Sequence, residues 1–109
     1  MKKVYNKLVR DKIPEIIIAA GKEPETRIAR DSEFKELLKS KLLEEANEYI
    51  ESNDPEELAD ILEVLQTVAL AHNMKWSEVE EMASKKRNER GGFSEGIVLV
   101  SAEEEGGYG

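Results

Sequence analysis

Apolar residues recur at intervals of three and four along much of this chain, the spacing of one face of an α-helix. The clearest row lies in the second quarter of the sequence and comprises Phe34, Leu37, Leu38, Leu42 and Tyr49. It predicts a helix that begins near Asp31 or Ser32, since both residue types are favourable N-caps. A shorter helix is predicted before it, beginning between Asp11 and Pro14 and ending at Gly21.

A third helix is predicted after a tight break at residues 52–55 and runs to about Asn73. Asp54 is a candidate N-cap, Pro55 takes the favoured first helical position, and Glu57 completes a capping-box spacing. The apolar residues of this helix cover nearly its whole circumference: Leu58, Ala59, Ile61, Leu62, Val64, Leu65, Val68, Ala69, Leu70 and Ala71. A helix that is apolar on most sides is normally buried on most sides. One chain of 109 residues offers too few other helices to bury it, so we expect a homodimer or homotetramer.

A fourth helix is predicted to open at Ser77 and to end before Gly91. Beyond it, residues 97–100 form either a short strand or an extended tail that packs on a partner. Residues 1–102 then make one domain, and residues 103–109 make an acidic, glycine-rich tail that we expect to be mobile. The predicted fold class is all-α: an antiparallel helical hairpin that completes a helical bundle by oligomerisation.

Two acidic blocks interrupt the apolar rows. Glu45 and Glu48 are three residues apart near the end of the second helix, and Glu57 and Asp60 are three apart at the start of the third. Each pair therefore projects from one side of its helix, one or two turns of roughly 5 Å from the same bend. Unit charges ~4 Å apart repel by about 4 kcal/mol at an effective dielectric near 20. Binding of Mg²⁺ or Mn²⁺ through the carboxylate oxygens is the simplest way to relieve this repulsion.

A purely structural interpretation of these acids is also available. Glu57 then caps its helix, Asp60 benefits from the helix dipole, and the acids of the second helix form a solvated face. That interpretation leaves unexplained why Asp60 lies inside the apolar run of residues 58–62. A di-iron site would need Glu-x-x-His, and it fails because the one histidine, His72, has Ala69 three residues before it.

Two basic groups could complete an anion site. One comprises Lys85, Lys86, Arg87 and Arg90, and the other comprises Lys7, Arg10 and Lys12. Basic residues at a helix C-terminus complement the dipole, but the glycine pair that follows Arg90 also lets backbone approach a phosphate closely. Residue types and spacing alone favour interpreting the N-terminal group as a solvated, charged segment rather than as part of an anion site.

Composition narrows the choice of function. The net charge of −8 argues against charge-driven binding of nucleic acid, and no apolar run is long enough to span a membrane. The chain has no cysteine, which excludes disulfides and zinc–thiolate sites and favours a cytoplasmic location. An acidic protein can still bind an anionic nucleotide where metal ions invert the local field.

The motif Glu44-Glu45-x-x-Glu48 followed by Glu57-x-x-Asp60 resembles the metal motif of MazG-like all-α nucleoside triphosphate pyrophosphohydrolases. That superfamily also includes phosphoribosyl-ATP pyrophosphohydrolase. The run from Tyr5 to Glu15 is similar to the opening of short MazG-like proteins, and Lys86 to Phe93 is similar to their basic turn and glycine pair. The chain departs from many members in having only eight residues between Glu48 and Glu57, which puts the size of the pocket in doubt.

The resemblance implies Mg²⁺-dependent hydrolysis of a nucleoside triphosphate to the monophosphate and pyrophosphate. Its implied metal ligands are Glu45, Glu48, Glu57 and Asp60, and it makes Glu44 either an outer-shell group or a catalytic base that orients the water. Its implied phosphate-binding residues are Lys86, Arg87 and Arg90, with help from Lys7, Arg10 and Lys12. Two alternatives remain open: phosphoribosyl-ATP hydrolysis at the same kind of site, and a non-catalytic helical oligomerisation module.

Overall fold

The computed structural model describes residues 2–103, which contain four α-helices and no β-strand. The helices are α1 (Ile13–Ala19), α2 (Asp31–Ser52), α3 (Glu57–Ala71) and α4 (Trp76–Arg90). The all-α class is therefore confirmed for the described residues. The alternative of a short strand at residues 97–100 is wrong, since these residues have no regular secondary structure. None of the helices in the described range is long and apolar enough to cross a membrane.

Helix α1 begins and ends where the proline and glycine predict. Pro14 lies in its first turn, and Gly21 adopts a left-handed conformation with φ 81° just after its end. The N–H of Gly21 donates to the carbonyl of Ile18 at 2.9 Å, and that of Lys22 donates to Ile17 at 3.1 Å. These bonds satisfy carbonyls at the helix end, which requires a residue that tolerates positive φ.

Helix α2 begins at Asp31 as predicted, but without the predicted side-chain cap. Arg30 occupies the N-cap position in extended conformation without a side-chain cap, and Asp31 is the first helical residue. The loop before α2 is instead tied to its first turn by Arg27, whose two terminal nitrogens donate to the two oxygens of Glu33 at 2.7 and 2.9 Å. A bidentate ion pair thus replaces the predicted cap at this helix end.

The turn between α2 and α3 forms as the sequence predicts, but α3 starts slightly later in the chain than expected. Asn53 closes α2 in a left-handed conformation, φ 57°, and its N–H donates to the Tyr49 carbonyl at 2.8 Å. The Asp54 carboxylate accepts from the N–H of Glu56 at 3.0 Å, so it caps the turn before Glu57, where α3 itself begins. Because α2 and α3 pack together and four residues join them, they form an antiparallel hairpin.

The hairpin has a thin core. Among the described residues, the buried apolar side chains are Leu38, Val64 and Ala69, and no large side chain is fully buried. Leu58, Leu62 and Leu65, which lie four and three residues apart along α3, stay 53%, 44% and 36% exposed. The predicted over-apolar third helix therefore has one covered face and one uncovered face.

The chain divides into two compact units, the first extending through Trp76 and the second beginning at Ser77. The second unit contains most of α4, which has no buried residue and ends at Arg90, directly before Gly91 with φ 86°. Its remaining described residues lack regular secondary structure, and Phe93 is 98% exposed. The predicted tail lies outside the described residues from position 104 onward.

Candidate metal centre

Three of the four predicted metal ligands converge at the bend of the hairpin. Glu45 comes from the second half of α2, and Glu57 and Asp60 come from the first turn of α3. One carboxylate oxygen from each lies within 4.8 Å of the other two. The convergence follows from the antiparallel hairpin, which places the end of one helix beside the start of the next.

The position of Asp60 on α3 explains why an acid interrupts an apolar run. Asp60 and the buried Val64 are four residues apart, so they share a face of the helix. Leu58 and Leu62 lie on another face and are exposed. Asp60 therefore belongs to the covered row of α3, the row in which the sequence pattern alone favours an aliphatic residue.

The carboxylates of this cluster differ in their access to water. Glu45 is 7% exposed, Glu57 and Asp60 are half-buried, and Glu57 Oε2 is a buried oxygen with no hydrogen-bond partner. The pKa of Glu57 is raised first by loss of hydration, then by the charge of Glu48 and by a hydrogen bond with Asp60, and last by the charges of Asp60 and Glu45. Within the described residues no cation pairs with Glu57, and a bound divalent cation would supply the missing positive charge.

Glu48, the fourth predicted ligand, lies outside the group of three. Its side chain is exposed, yet its charge contributes to raising the pKa of Glu57. Its assignment as a ligand stays a prediction.

Lys41 pairs with the acids of its own helix. Its Nζ lies 2.9 Å from Glu44 Oε2 and 3.2 Å from Glu45 Oε1, at spacings of three and four residues. Burial acts to lower the pKa of Lys41, but its hydrogen bonds to both carboxylates outweigh burial and raise it. The contact with Glu45 follows from the spacing of four residues, at which side chains of one helix face meet.

The N-terminal segment contributes two more cations. Lys7 Nζ lies 2.5 Å from Glu44 Oε1, and Arg10 Nη2 lies 2.6 Å from Asp60 Oδ1. Arg10 Nη1 also lies 3.8 Å from Glu63 Oε1. The residues alone favour a solvated segment here, whereas the structure brings two of its three cations to the acids. No local signal could have found these pairs, because 37 and 50 residues separate the partners.

These contacts change the proton affinities of the paired groups. Hydrogen bonds from Lys7 and then Lys41 lower the pKa of Glu44, so this carboxylate is a weak base. The hydrogen bond with Asp60 is the main cause that raises the pKa of Arg10. Among the described residues, Lys12 makes no ion pair and is exposed.

The predicted basic turn lies in the second compact unit. Lys86, Arg87 and Arg90 are exposed in the last turns of α4, directly before Gly91. Their role in binding phosphate stays a prediction.

The donor set fits a hard divalent cation. All three converging groups are carboxylates, and one buried oxygen among them lacks any partner. Mg²⁺ and Mn²⁺ prefer such oxygen ligands, whereas zinc–thiolate sites need cysteine, which this chain lacks.

Comparisons of the chain with family models, with curated proteins and with solved structures give no match. The similarity to MazG-like enzymes therefore remains a resemblance of motifs.

Proposed function

We propose that this protein is a Mg²⁺-dependent nucleotide pyrophosphohydrolase that converts a nucleoside triphosphate and water to the monophosphate and pyrophosphate. The observation that supports it most is the convergence of Glu45, Glu57 and Asp60 around an oxygen of Glu57 that has no partner. Mn²⁺ fits the same oxygen ligands.

Glu45, Glu57 and Asp60 bind the metal in this proposal, and Glu48 joins them when its exposed side chain turns inward. Bound Mg²⁺ supplies charge stabilisation at phosphate oxygens and lowers the pKa of a coordinated water. The chain's own part is to fix these oxygens on two packed helices, so that the substrate meets an ordered site.

Glu44 orients the attacking water rather than accepting its proton. Two ammonium groups, those of Lys7 and Lys41, donate to its two oxygens, and they lower its pKa. A carboxylate with depressed proton affinity is a poor general base, but its fixed oxygens make a good hydrogen-bond acceptor for water.

The phosphates are bound by cations in this proposal. Lys7 and Arg10 lie at the acids already, and Lys12 follows them on the same segment. The basic turn of α4, with Lys86, Arg87 and Arg90, is a separate predicted phosphate-binding group in the second compact unit, next to a glycine whose positive φ allows close backbone approach. Phosphate charge is recognised well by such guanidinium and ammonium groups.

The active protein is a homodimer or homotetramer in the cytoplasm. The leucine row of α3, formed by Leu58, Leu62 and Leu65, is exposed at helical spacing in a chain whose own core is thin. A second copy would bury this row and complete the bundle.

A panel assay tests the activity. The protein is incubated with ordinary and damaged nucleoside triphosphates and Mg²⁺, and pyrophosphate release is measured. We expect release for at least one nucleotide and a loss of at least ~100-fold in Glu45→Gln and in Asp60→Asn. Glu51→Gln, an exposed acid on the same helix, is the matched control and keeps the activity. Absence of release from every nucleotide, or unchanged release in both variants, overturns the proposal.

Two alternatives have their own tests. Phosphoribosyl-ATP in the same panel distinguishes a histidine-pathway type of substrate from ordinary nucleotides. The uncovered leucine row also favours a second candidate, a non-catalytic oligomerisation module, which predicts association without saturable binding of Mg²⁺ or Mn²⁺.

A further inference from the structure

Arg10 binds an oxygen of the proposed metal site. Its Nη2 donates to Asp60 Oδ1 at 2.6 Å, although the two residues are 50 positions apart in the chain. Asp60 is also one of the three acids whose oxygens converge. A protein cation and a divalent cation are thus directed to the same carboxylate.

The rest of the cluster shows that this arrangement is incomplete. Arg10 bonds Asp60, and Lys41 pairs with Glu45, but Glu57 Oε2 is buried without a partner. A divalent cation within reach of all three acids would satisfy that oxygen and bring two positive charges close to the guanidinium. Two positive groups on the same carboxylate repel each other, and water screens part of this repulsion because Arg10 and Asp60 are partly exposed.

The Arg10 side chain can take other positions and other anionic partners when it leaves Asp60. It lies in a segment without regular secondary structure, and its side chain is 53% exposed. Its second terminal nitrogen already points toward Glu63, 3.8 Å away. The guanidinium can therefore move without unfolding a helix, and it can then bind an anionic phosphate, for which its planar donor geometry is suited.

We infer that Arg10 is an exchangeable positioning residue: it occupies Asp60 in the metal-free protein, and divalent metal displaces it and frees it for the substrate phosphates. This inference rests on the proposed metal site. Arg10 consequently opposes metal binding and favours substrate binding.

Calorimetric titration of the full chain with Mn²⁺ alone, without nucleotide, tests the exchange. Removing the competitor in Arg10→Gln is expected to tighten Mn²⁺ binding by about twofold to fivefold, the range that an exposed ion pair supplies. Arg10→Met, which also removes the charge, is expected to give the same gain. Far-UV circular dichroism checks that both variants keep their helices.

Lys12→Gln is the matched control. It removes one positive charge from the same segment, but Lys12 makes no ion pair within the described residues. Its Mn²⁺ affinity should stay closer to that of the wild type than the affinities of the Arg10 variants do. Arg10 variants that bind Mn²⁺ no tighter than Lys12→Gln, or more weakly than the wild type, overturn the exchange and leave the proposed function intact. A wild type that binds no Mn²⁺ overturns both.

Discussion

At the scale of single residues, the carboxylates of this protein differ in their partners. Glu44 has two ammonium partners, Asp60 has a guanidinium, and Glu57 has an oxygen with none. Residue identity does not distinguish them, because all are acids at helical spacing. Packing distinguishes them, and it makes Glu57 the acid that gains most from a bound cation.

The sequence predicted that four acids would meet, and the structure brings three of them together and leaves Glu48 outside. It did not predict that cations of the N-terminal segment would join them. Glu45, Glu57 and Asp60 could be placed from helical spacing and a short turn, both of which are local signals. The contacts of Lys7 and Arg10 depend on the path of a segment without periodicity, which spacing does not define.

The Arg27–Glu33 pair predicts a local pH effect. The bond with Arg27 lowers the pKa of Glu33 from 4.5, so the stabilisation it gives is present above that value and is lost as pH falls through the lowered pKa. Arg27→Gln should raise the pKa of Glu33, as measured by NMR titration of its carboxyl carbon. Lys39→Gln is the control: it breaks a different exposed ion pair, with Glu36, and should leave the pKa of Glu33 unchanged. A Glu33 pKa that does not rise in Arg27→Gln contradicts the pairing.

At the scale of elements, the turn of the hairpin determines the site. Glu45 and Glu57 approach each other only because residues 53–56 reverse the chain within four residues. Turn chemistry was predictable, since asparagine, aspartate and proline are its usual residues. The start of α2 at Asp31 was predicted correctly, but the predicted side-chain cap was wrong, because the ion pair between Arg27 and Glu33 holds this helix end instead.

Substitutions at Asn53 test the contribution of the α2–α3 turn to stability. Its φ of 57° is left-handed, a conformation that costs a residue with a β-carbon roughly 1 kcal/mol or more unless it is asparagine or aspartate. Asn53→Ala should lower the free energy of unfolding by about 1 kcal/mol in urea titration, whereas Asn53→Gly should stay within about 0.5 kcal/mol of the wild type. Equal losses in both variants would show that the left-handed turn does not limit stability.

At the scale of the whole molecule, the main feature is an apolar surface without a cover. The all-α class was predictable from periodicity along the chain, and so was the excess of apolar residues on α3. The sequence could not predict whether a dimer or a tetramer would cover this surface, because an exposed leucine row has the same pattern in both.

Charge in the leucine row should disrupt association. Leu62→Lys places a cation where we expect a second copy, and burying an unpaired charge is strongly unfavourable. Sedimentation velocity should show a shift from oligomer toward monomer. Ile28→Lys is the control, since Ile28 is 73% exposed in the loop before α2, and this variant should sediment as the wild type does. A wild type that is monomeric at all concentrations contradicts the predicted oligomer.

The most direct test of the central claim is calorimetric titration of the chain with Mg²⁺, comparing the wild type with Glu57→Gln and with Glu51→Gln. Glu57 carries the buried oxygen without a partner, whereas Glu51 is an exposed acid of the same hairpin. Three converging carboxylates predict saturable Mg²⁺ binding that is lost in Glu57→Gln and kept in Glu51→Gln. No saturable binding in the wild type, or equal binding in all three proteins, would contradict a metal site at this bend.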